Sequence, residues 1–359
     1  MIITNELLRK IGVNLLPAKR VDKKHTIKEI ARMAGVSAAA VSYVINGKKG
    51  VSDETRKKVE EIIKSTDFIP NPNSRRLFYK KTYNIGLIIE KNSTTLDSFF
   101  HLEITREIVH VCEGRGYNLI ISSTEVADSN VEVPKIIKTS DVDGIIFLCD
   151  IKPSMLAELQ KYSIPKVFVD TSVPVKEYAN VMADYGEAAY TATKHLVEKG
   201  HTMICYLGDN RFPNFTINTF NGFKKAVEEF DISIPINWVF FKSSNIADMS
   251  EFVGKVMTCR KVPTAFFCAA DIYAVNAMNV LAEKNYRVPD DVSIIGIDDI
   301  LLSSYIMPPL TTVSVGKNEM GVAAFDMLMK MIESGTQAAD NVYMPIRLIE
   351  RKTVMQISK

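Results

Sequence analysis

The stretch TIKEIARMAGVSAAAVSYVINGKKGVS, residues 26–52, decides how the amino-terminal part of the chain folds. Its first apolar residues recur at helical spacing, and Thr26 followed by Glu29 forms a capping box, which satisfies the free backbone donors at a helix start. Gly35 is placed to end this helix in the left-handed conformation, and Ser37 opens a second helix. Two short helices joined by a glycine-containing turn predict a helix-turn-helix unit.

Charge is distributed unevenly between two parts of the 359-residue chain. Residues 1–82, which include a third predicted helix over 55–65, hold 18 Lys and Arg against 8 Asp and Glu, a net charge of +10. Residues 83–359 hold 26 against 34, a net charge of −8. A basic head on an acidic body is typical of a nucleic-acid-binding domain joined to a domain that does not touch nucleic acid. A merely solvated basic surface is the alternative, and the helix pattern disfavours it.

Composition narrows the class of protein further. With 47% hydrophobic residues, the chain can bury more than one core, so two or three domains are expected. No apolar stretch approaches the roughly 20 residues that span a membrane, and the amino terminus lacks the features of a secretory signal. The five cysteines lie in no CxxC motif or zinc-binding spacing, which predicts free thiols and no metal. We expect a cytoplasmic protein without a membrane partner.

After Tyr83 the pattern changes to short apolar runs that alternate with amphipathic helical stretches. Short all-apolar strands separated by helices predict parallel sheets that are covered on both faces. The predicted strands are Ile85–Ile89, Leu119–Ser122, Gly144–Leu148, Val167–Val169, Met203–Leu207, Val239–Phe241, Ala265–Cys268 and Ser293–Ile297. Their number predicts an α/β body of two doubly wound lobes, with a cleft at the carboxyl ends of the strands.

Motifs along most of the chain resemble those of the LacI/GalR family of bacterial transcription regulators. In the first part they are TIKEIARMAGVS, VSYVINGKKGVS, TRKKV, FIPNPNSRRL and NIGLII. In the second part they are DVDGIIFL, HLVEKGH, NGFKKAV, VPDDVSIIGIDDI and PPLTTV. The resemblance implies a helix-turn-helix head and a periplasmic-binding-protein-like body whose two lobes close on a small molecule.

The resemblance, together with the shifts in pattern, predicts four segments. They are a flexible N-terminal extension over 1–24, a helix-turn-helix domain over 25–70, a hinge helix or linker over 71–82, and an effector-binding and dimerisation domain over 83–359. Within the last segment, one lobe is predicted from 83–182 plus 312–340 and the other from 183–311 plus 341–359.

In the head, the resemblance implies that the second helix lies in the major groove and presents Ala38, Ala39 and Tyr43 to base edges. Much of the family has polar residues at the first two of these positions and Arg or His at the third. Alanine packs on a thymine methyl but cannot hydrogen-bond a base, and Tyr43 offers a hydroxyl and a ring. The residues that match phosphate-holding positions of the family are Thr26, Ser37, Ser42, Asn46, Thr55 and Asn71. Helix capping is the alternative role for the Ser and Thr residues among them.

The segment NSRRLFYKKT, which follows Pro70 and Pro72, matches the hinge that forms a helix on operator DNA in this family. Leu77 stands where two copies of the family's hinge insert leucines into the minor groove, and such an apolar wedge kinks the duplex. An ordinary linker with one buried leucine is the alternative. A two-fold dimer doubles the number of base pairs read, so a homodimer on a palindromic DNA operator is expected.

The candidate effector residues are transferred from matching family positions in the cleft. Phe99 stands where relatives stack a ligand, and Asp298 stands where relatives bind ligand hydroxyls or ring nitrogens. Asp271 is either a ligand acceptor or a structural cap. Thr219 occupies a position where relatives commonly have Arg, and Ala270 replaces their Asn. The loss of a bidentate donor predicts a neutral or unusual effector, a sugar or related metabolite other than a simple hexose, bound with few charged contacts.

No catalytic motif appears, since GxSxG, HExxH, Walker and GxGxxG patterns are all absent from the sequence. We therefore expect no enzymatic activity and no cofactor. The sequence predicts a transcription regulator, most simply a repressor, controlled by a small molecule. A solute-binding protein without regulatory function is the alternative. A phosphorylated carrier protein stays open as a further partner, because MADYGEAAY is slightly similar to relatives that respond to one.

Overall fold

The computed structural model describes residues 25–45, 50–66, 68, 81–91, 98–125, 132–171, 174–209, 213–241 and 246–357. The predicted extension over 1–24 lies outside these residues, as do the predicted site residues Asn46, Asn71 and Leu77. Of the predicted hinge, only residues 81 and 82 are described. The chain divides into two units, Met1–Thr82 and Tyr83–Lys359.

The first unit contains three helices, which are α1 (Ile27–Ala34), α2 (Ala38–Ile45) and α3 (Asp53–Ser65). The helices meet in a small apolar core, where the side chains of Ile30, Val41 and Val59 are fully buried. The three predicted helices of the head are therefore present, and α3 begins two residues before its predicted start, directly after the cap residue Ser52. The helix-turn-helix interpretation of this stretch is confirmed.

The second unit alternates strands with helices. Its strands are β1 (Asn84–Glu90), β2 (Asn118–Thr124), β3 (Gly144–Leu148), β4 (Lys166–Val169), β5 (Ala179–Ala183), β6 (Ile204–Leu207), β7 (Val239–Phe240), β8 (Ala265–Cys268), β9 (Ser293–Asp298), β10 (Thr311–Ser314), β11 (Asn341–Met344) and β12 (Arg347–Ile349). Its helices are α4 (Phe99–Gly114), α5 (Lys135–Lys138), α6 (Pro153–Leu159), α7 (Tyr185–Glu198), α8 (Pro213–Glu229), α9 (Ile246–Val256), α10 (Asp271–Glu283), α11 (Leu301–Tyr305) and α12 (Lys317–Ser334). A 3₁₀ turn, Ile236–Trp238, precedes β7. No helix among the described residues is long and apolar enough to cross a membrane.

The strands form two six-stranded sheets, one in each lobe. The first sheet has the order β11-β5-β4-β3-β1-β2 and is parallel throughout. The second has the order β12-β10-β9-β8-β6-β7, and only its edge strand β12 runs antiparallel to its neighbour. Every residue of β3, β5 and β9 is buried, as expected when helices cover both faces of a sheet. The prediction of two doubly wound lobes is confirmed.

The lobe boundaries differ from those predicted near the carboxyl terminus. Strand β10 was expected in the first lobe, but it pairs with β9 in the second sheet. Strand β11 was expected in the second lobe, but it pairs with β5 in the first sheet. The chain therefore crosses between lobes after β10, where Gly316 has a φ of 69°, and again between β11 and β12. Strands of only four residues carry no strong pattern of their own, which is why sequence misplaced β10 and β11.

Glycine allows α7 and α8 to pack closely in the second lobe. A Cβ atom on Gly222 of α8 would overlap the carbonyl oxygen of Gly186 on α7 and would lie 3.0 Å from Ala189 Cβ. Backbone therefore lies against backbone at this crossing, and only glycine fits at position 222. This contact explains the glycine in the NGFKKAV motif.

We expect Gly222→Ala to lower the free energy of unfolding by about 2 kcal/mol, because the added methyl group forces α7 and α8 apart. Urea unfolding followed by circular dichroism measures this loss. Gly114→Ala in α4 is the matched control, because a Cβ at Gly114 meets no atom within 4 Å. A loss in Gly222→Ala no larger than in Gly114→Ala would contradict the close helix crossing.

Candidate functional site

The second helix of the head exposes the residues that sequence assigned to base contacts. Ala38, Ala39 and Tyr43 are exposed, whereas Val41 and Val44 on the opposite side of α2 are buried in the core of the head. With 3.6 residues per turn, the three exposed residues lie within one side of the helix. The structure therefore brings the predicted base-contacting residues together on an accessible face.

The ring of Tyr43 packs against the backbone that follows α2. A Cβ atom on Gly50 would lie 3.3 Å from Tyr43 Cε2, and Gly50 has a φ of 116°. Gly50 therefore allows the ring to lie close to the chain, which limits the orientations that the ring can adopt. Tyr43 nevertheless remains 43% exposed, so the ring is restrained but still accessible to a partner.

Three of the predicted phosphate-contacting residues, Thr26, Ser37 and Thr55, lie at helix starts. Thr26 and Glu29 form the expected capping box, with Thr26 N donating to Glu29 Oε2 at 2.7 Å and Glu29 N donating to Thr26 Oγ1 at 3.3 Å. Ser37 Oγ accepts from Ala40 N at 3.1 Å, and Thr55 Oγ1 accepts from the hydroxyl of Ser52 at 2.9 Å. Capping is thus present at Thr26 and Ser37. Their contact with phosphate stays a prediction.

Ser42 differs from the other predicted phosphate-contacting residues because it is buried, with 8% of its surface exposed. It lies in the middle of α2 rather than at a helix start. Among the described candidates, Thr26, Ser37 and Thr55 are therefore better placed to meet a DNA backbone than Ser42 is. The role predicted for Ser42 is not supported by this position.

In the second lobe, Asp298 ends β9 at the edge where ligands bind in doubly wound sheets. Its φ of 116° is unusual for a residue with a side chain, and only 8% of its surface is exposed. Burial and the nearby carboxylate of Asp271 raise the pKa of Asp298 well above its usual range, and the charge of Lys317 acts in the opposite direction. Its carboxylate also accepts a hydrogen bond from the backbone of Asp271.

Asp271 has the contacts of a structural acceptor. Its side chain is completely buried and accepts hydrogen bonds from Thr312 Oγ1 at 2.5 Å, from Ser303 Oγ at 2.6 Å and from Ile300 N at 3.1 Å. Burial raises the pKa of Asp271, and these hydrogen bonds act in the opposite direction. Gly296 makes room for the carboxylate, because a Cβ there would overlap Asp271 Oδ1. Of the two roles left open by sequence, these contacts favour the structural one.

Thr219 lies in the core of the second lobe. Its side chain is fully buried, and its hydroxyl lies 3.0 Å from the carbonyl oxygen of Phe215 and 2.9 Å from the hydroxyl of Tyr206. The ring of Tyr206 is itself packed against Phe220 and Phe267. The position that carries Arg in many relatives therefore completes an apolar core here, which argues against its prediction as an effector residue.

Phe99, the first residue of α4, is 46% exposed and thus accessible to a ligand. Ser98 caps this helix, since its hydroxyl accepts from His101 N at 3.5 Å. The stacking role predicted for Phe99 agrees with this exposure and stays a prediction. The exposure also contrasts with Phe100, the next residue, which is buried in the core of the first lobe.

Three residues that sequence did not assign to the site form a polar group, and two of them, Asp170 and Tyr185, interact electrostatically with Asp298. Asp170 directly follows β4, has a φ of 54° and accepts a hydrogen bond from the hydroxyl of Tyr185 at 2.6 Å. His101 Nε2 lies 3.5 Å from Asp170 Oδ2. Burial, followed by the charges of Asp170 and Asp298, raises the pKa of Tyr185 well above its usual value. The signal for Asp170 was present in the sequence, because VFVD ends a predicted strand in an aspartate just as SIIGID does.

Both lobes contribute to this cluster. Asp170 and His101 come from the first lobe, whereas Tyr185 begins α7 and Asp298 ends β9, which both belong to the second. Among the described residues, the basic side chains of Lys317 and Arg351 at the Asp298–Asp299 turn are already bound by the protein. Lys317 donates to the backbone carbonyls of Asp298 and Asp299, and Arg351 contacts the Asp299 carboxylate at 2.6 Å. The cluster therefore offers chiefly carboxylate and hydroxyl groups to a ligand.

A helix-turn-helix head joined to a two-lobed body with a polar cleft defines a DNA-binding regulator with a ligand-binding domain. Residues 26–71 match the model of the bacterial regulatory proteins of the lacI family, and residues 193–354 match that of the periplasmic binding protein-like domain. The chain belongs to the lacI family of bacterial regulatory proteins.

Curated relatives cover nearly the same length of chain. The HTH-type transcriptional repressor PurR of Histophilus somni strain 2336 is 32% identical over 336 residues, which are 92% of this chain and 98% of that protein. PurR of Haemophilus influenzae strain PittEE is 33% identical over 339 residues, with 92% and 99% covered.

Solved structures of regulators have the same architecture. The lac repressor dimer bound to operator and the anti-inducer ONPF matches with a TM-score of 0.77 at 25% identity, over 93% of this chain and all of that chain. The complex of the regulator CelR with cellobiose matches in fold with a TM-score of 0.65 at 23% identity, over 92% of this chain and 99% of that chain. The resemblance seen in the sequence is thus confirmed.

We expect Asp271→Asn to lower the free energy of unfolding by about 2 kcal/mol, because the new amide group faces donors and leaves one of them without an acceptor. Urea unfolding measures this loss. Asp290→Asn is the matched control, because the Asp290 side chain is 56% exposed and pairs with Arg287 at the surface. An equal, small loss in both variants would contradict the structural role of Asp271.

Proposed function

We propose that this protein is a cytoplasmic, homodimeric repressor that binds a palindromic operator and releases or holds it in response to a small molecule. The observation that carries the proposal is the exposed face of α2, where Ala38, Ala39 and Tyr43 lie on a helix held by a capped, glycine-containing turn. The membership of the lacI family and the curated repressors that share it support the same conclusion.

The chemistry of α2 points to a particular kind of operator. Ala38 and Ala39 present methyl groups, which discriminate bases by contact with thymine methyls and by leaving no donor for guanine. Tyr43 adds one hydroxyl and a restrained ring, so its position is set before DNA is bound. We infer that thymine-containing steps contribute more to specificity here than an arginine–guanine contact does. Phosphate contacts at helix starts then supply affinity that does not depend on sequence.

Dimer formation supplies the remaining specificity. One helix of eight residues reads few base pairs, and a two-fold dimer repeats the same contacts on the second half-site. The structure of the lac repressor dimer on its operator, which shares the fold of this chain, supports this arrangement. Insertion of Leu77 into the minor groove stays a prediction, because the residue lies outside the described part of the chain.

Regulation is proposed to act through the cleft between the lobes. A ligand that contacts Asp298 in one lobe and Asp170 or Phe99 in the other is bound best when the lobes are close together. Such a ligand shifts the protein between two lobe arrangements by its difference in affinity for them. A solute-binding protein without regulatory function is disfavoured by the helix-turn-helix head, and an enzyme is disfavoured by the repressor names of the curated relatives.

The contacts in the cleft favour a neutral effector. Lys317 and Arg351, the described basic groups beside Asp298, already bind backbone carbonyls and a carboxylate. A phosphate or carboxylate on the ligand would face Asp170 and Asp298 without either cation to balance it. Hydroxyl groups and ring N–H groups, in contrast, donate hydrogen bonds to carboxylates at low cost.

The DNA-binding proposal is tested by selecting genomic fragments on the purified full-length protein and sequencing those that bind. We expect a palindromic motif, and we expect Tyr43→Ala to weaken binding to that motif by about tenfold while leaving binding to random DNA unchanged. Met33→Ala is the control, because Met33 is also exposed in the head, at 48%, but lies on α1. Either the lack of any palindromic motif, or an equal loss on both DNAs, would contradict the proposal.

The effector proposal is tested with matched pairs of neutral and phosphorylated compounds, such as ribose with ribose 5-phosphate and adenosine with its monophosphate. Calorimetry is expected to show the neutral member of a binding pair at least about tenfold tighter, because the phosphate meets unbalanced carboxylates. Asp298→Asn should weaken the neutral compound. Tighter binding of the phosphorylated member would overturn the assignment of a neutral effector.

A further inference from the structure

Two side chains of the first lobe bind the loop that carries Asp298 in the second lobe. This Asp298 loop, residues 298–301, leads from β9 into α11. Lys317, the first residue of α12, donates through Nζ to the carbonyl oxygen of Asp298 and, at 2.7 Å, to that of Asp299. Glu103 of α4 accepts through Oε1 from the backbone N–H of Leu301 at 2.7 Å. The loop is therefore held from the opposite lobe at both of its ends.

The pair formed by these two side chains is largely removed from water. Glu103 Oε2 lies 3.6 Å from Lys317 Nζ, and the two side chains are 15% and 5% exposed. A surface ion pair contributes little, but removal of one member of a buried pair leaves the other charge without compensation. The Phe100 ring also lies 6.0 Å from Lys317 Nζ and helps to exclude water. The two side chains are therefore fixed relative to each other within the first lobe, and their bonds to Leu301 N and to the carbonyls of Asp298 and Asp299 are the contacts that cross to the second lobe.

The backbone of the Asp298 loop needs such support. Asp298 and Asp299 both have positive φ angles, 116° and 53°. Residues with side chains adopt this region at a cost in free energy and keep it only where the surroundings hold them. Lys317 binds the carbonyls of both residues, and Arg351 binds the Asp299 carboxylate from within the second lobe. The conformation of the proposed effector residue thus depends on a side chain of the first lobe.

Helices α4 and α12, which carry these two side chains, belong to one packed layer. They contact each other, and Gly321 of α12 approaches α4 so closely that a Cβ there would lie 3.1 Å from the carbonyl oxygen of Ile104. A displacement of the Asp298 loop is therefore transmitted to two helices that contact each other. It does not act on one isolated side chain.

We propose that Glu103 and Lys317 are positioning residues that couple the Asp298 loop to the α4–α12 layer of the first lobe. Through them, the occupancy of Asp298 by an effector and the arrangement of the two lobes change together, and so does affinity for the operator. The proposal rests on the function proposed above for Asp298. Neither residue is assigned a contact with the effector.

The test uses the full-length protein without any effector. Glu103→Ala removes the acceptor for Leu301 N, and Lys317→Met removes the charged donor while keeping a side chain of similar length. We expect amide hydrogen exchange at residues 299–302 to rise by about tenfold in both variants, because the loop loses the bonds that close it. Operator affinity is expected to change by about fivefold or more, in the range of an allosteric coupling.

Two further variants separate positioning from general stability. Glu103→Gln keeps an acceptor for Leu301 N, so it should restore most of the slow exchange at that amide, which a general loss of stability would not do. Glu113→Ala, at an exposed position near the end of the same helix α4, should change neither exchange nor operator affinity. If Glu103→Ala does not fold, Lys317→Met alone carries the test.

The outcomes distinguish this inference from the function on which it rests. Unchanged operator affinity in Glu103→Ala and Lys317→Met overturns the coupling, whether or not loop exchange rises. Unchanged exchange in both variants overturns the positioning role. A separate titration of Asp298→Asn with ribose and with adenosine tests the effector site itself. If Asp298→Asn binds the same compound as tightly as the unaltered protein does, the proposed effector role of Asp298 is overturned. The measured coupling then still stands.

Discussion

The body of this protein depends on the burial of one carboxylate, that of Asp271, at the carboxyl ends of the strands. The strands of a parallel sheet all end at the same edge. At this edge the chain turns from apolar strands into helices whose first backbone N–H groups have no partner within the helix. Asp271 accepts from Ile300 N, Ser303 and Thr312, which come from three segments after β9. One acceptor thus fixes the geometry of the loop on which Asp298 stands.

A consequence of that burial is an unusual electrostatic environment in the cleft. Asp271 raises the pKa of Asp298, and Asp170 acts on the same group from the other lobe. The charge of Lys317 acts in the opposite direction, while its Nζ donates to the backbone carbonyls of Asp298 and Asp299 and pairs with Glu103. The carboxyl of Asp298 therefore stays available to a ligand, while its position is held by neighbouring groups. For the proposed hydroxyl-bearing effector, this preorganisation lowers the cost of binding, because little ordering of the site remains to be done.

The sequence predicted those features that depend on local pattern. The capping box at Thr26 and the turn at Gly35 appear as expected, since both need only residues within one helical turn. The eight predicted strands are present, because buried strands of doubly wound sheets are continuous apolar runs. The strands β5, β10, β11 and β12 were not predicted, because polar residues such as Asn180, Thr312, Asn341 and Arg347 interrupt their apolar pattern and pairing with neighbouring strands places them in the sheets. The lobe boundaries near residue 341 were wrong for that reason.

The candidate site shows the same division between local and distant information. Position along the family pattern predicted effector roles for Asp298 and Phe99, which lie at the carboxyl end of β9 and at an exposed helix start. It did not show that Thr219 turns toward Tyr206, because the orientation of α8 is set by the packing of distant aromatic rings. Nor did it show that His101 and Tyr185 meet at Asp170, since these residues lie far apart in the sequence and come from both lobes, which only the folded chain brings together.

The head and the body divide the work of recognition in different ways. In the proposed mode of DNA binding, Ala38 and Ala39 contribute shape without hydrogen bonds, so each half-site would offer modest discrimination and two-fold repetition would supply the rest. A small change in the distance between two heads then changes operator affinity strongly, because both half-sites must be met at once. In the body, Glu103 and Lys317 join the lobes at the loop that holds the effector residue. In the proposed mechanism these two features are complementary. Weak single contacts with DNA make repression sensitive to the distance between the two heads, and a stiff connection between the lobes allows a small ligand to alter that distance.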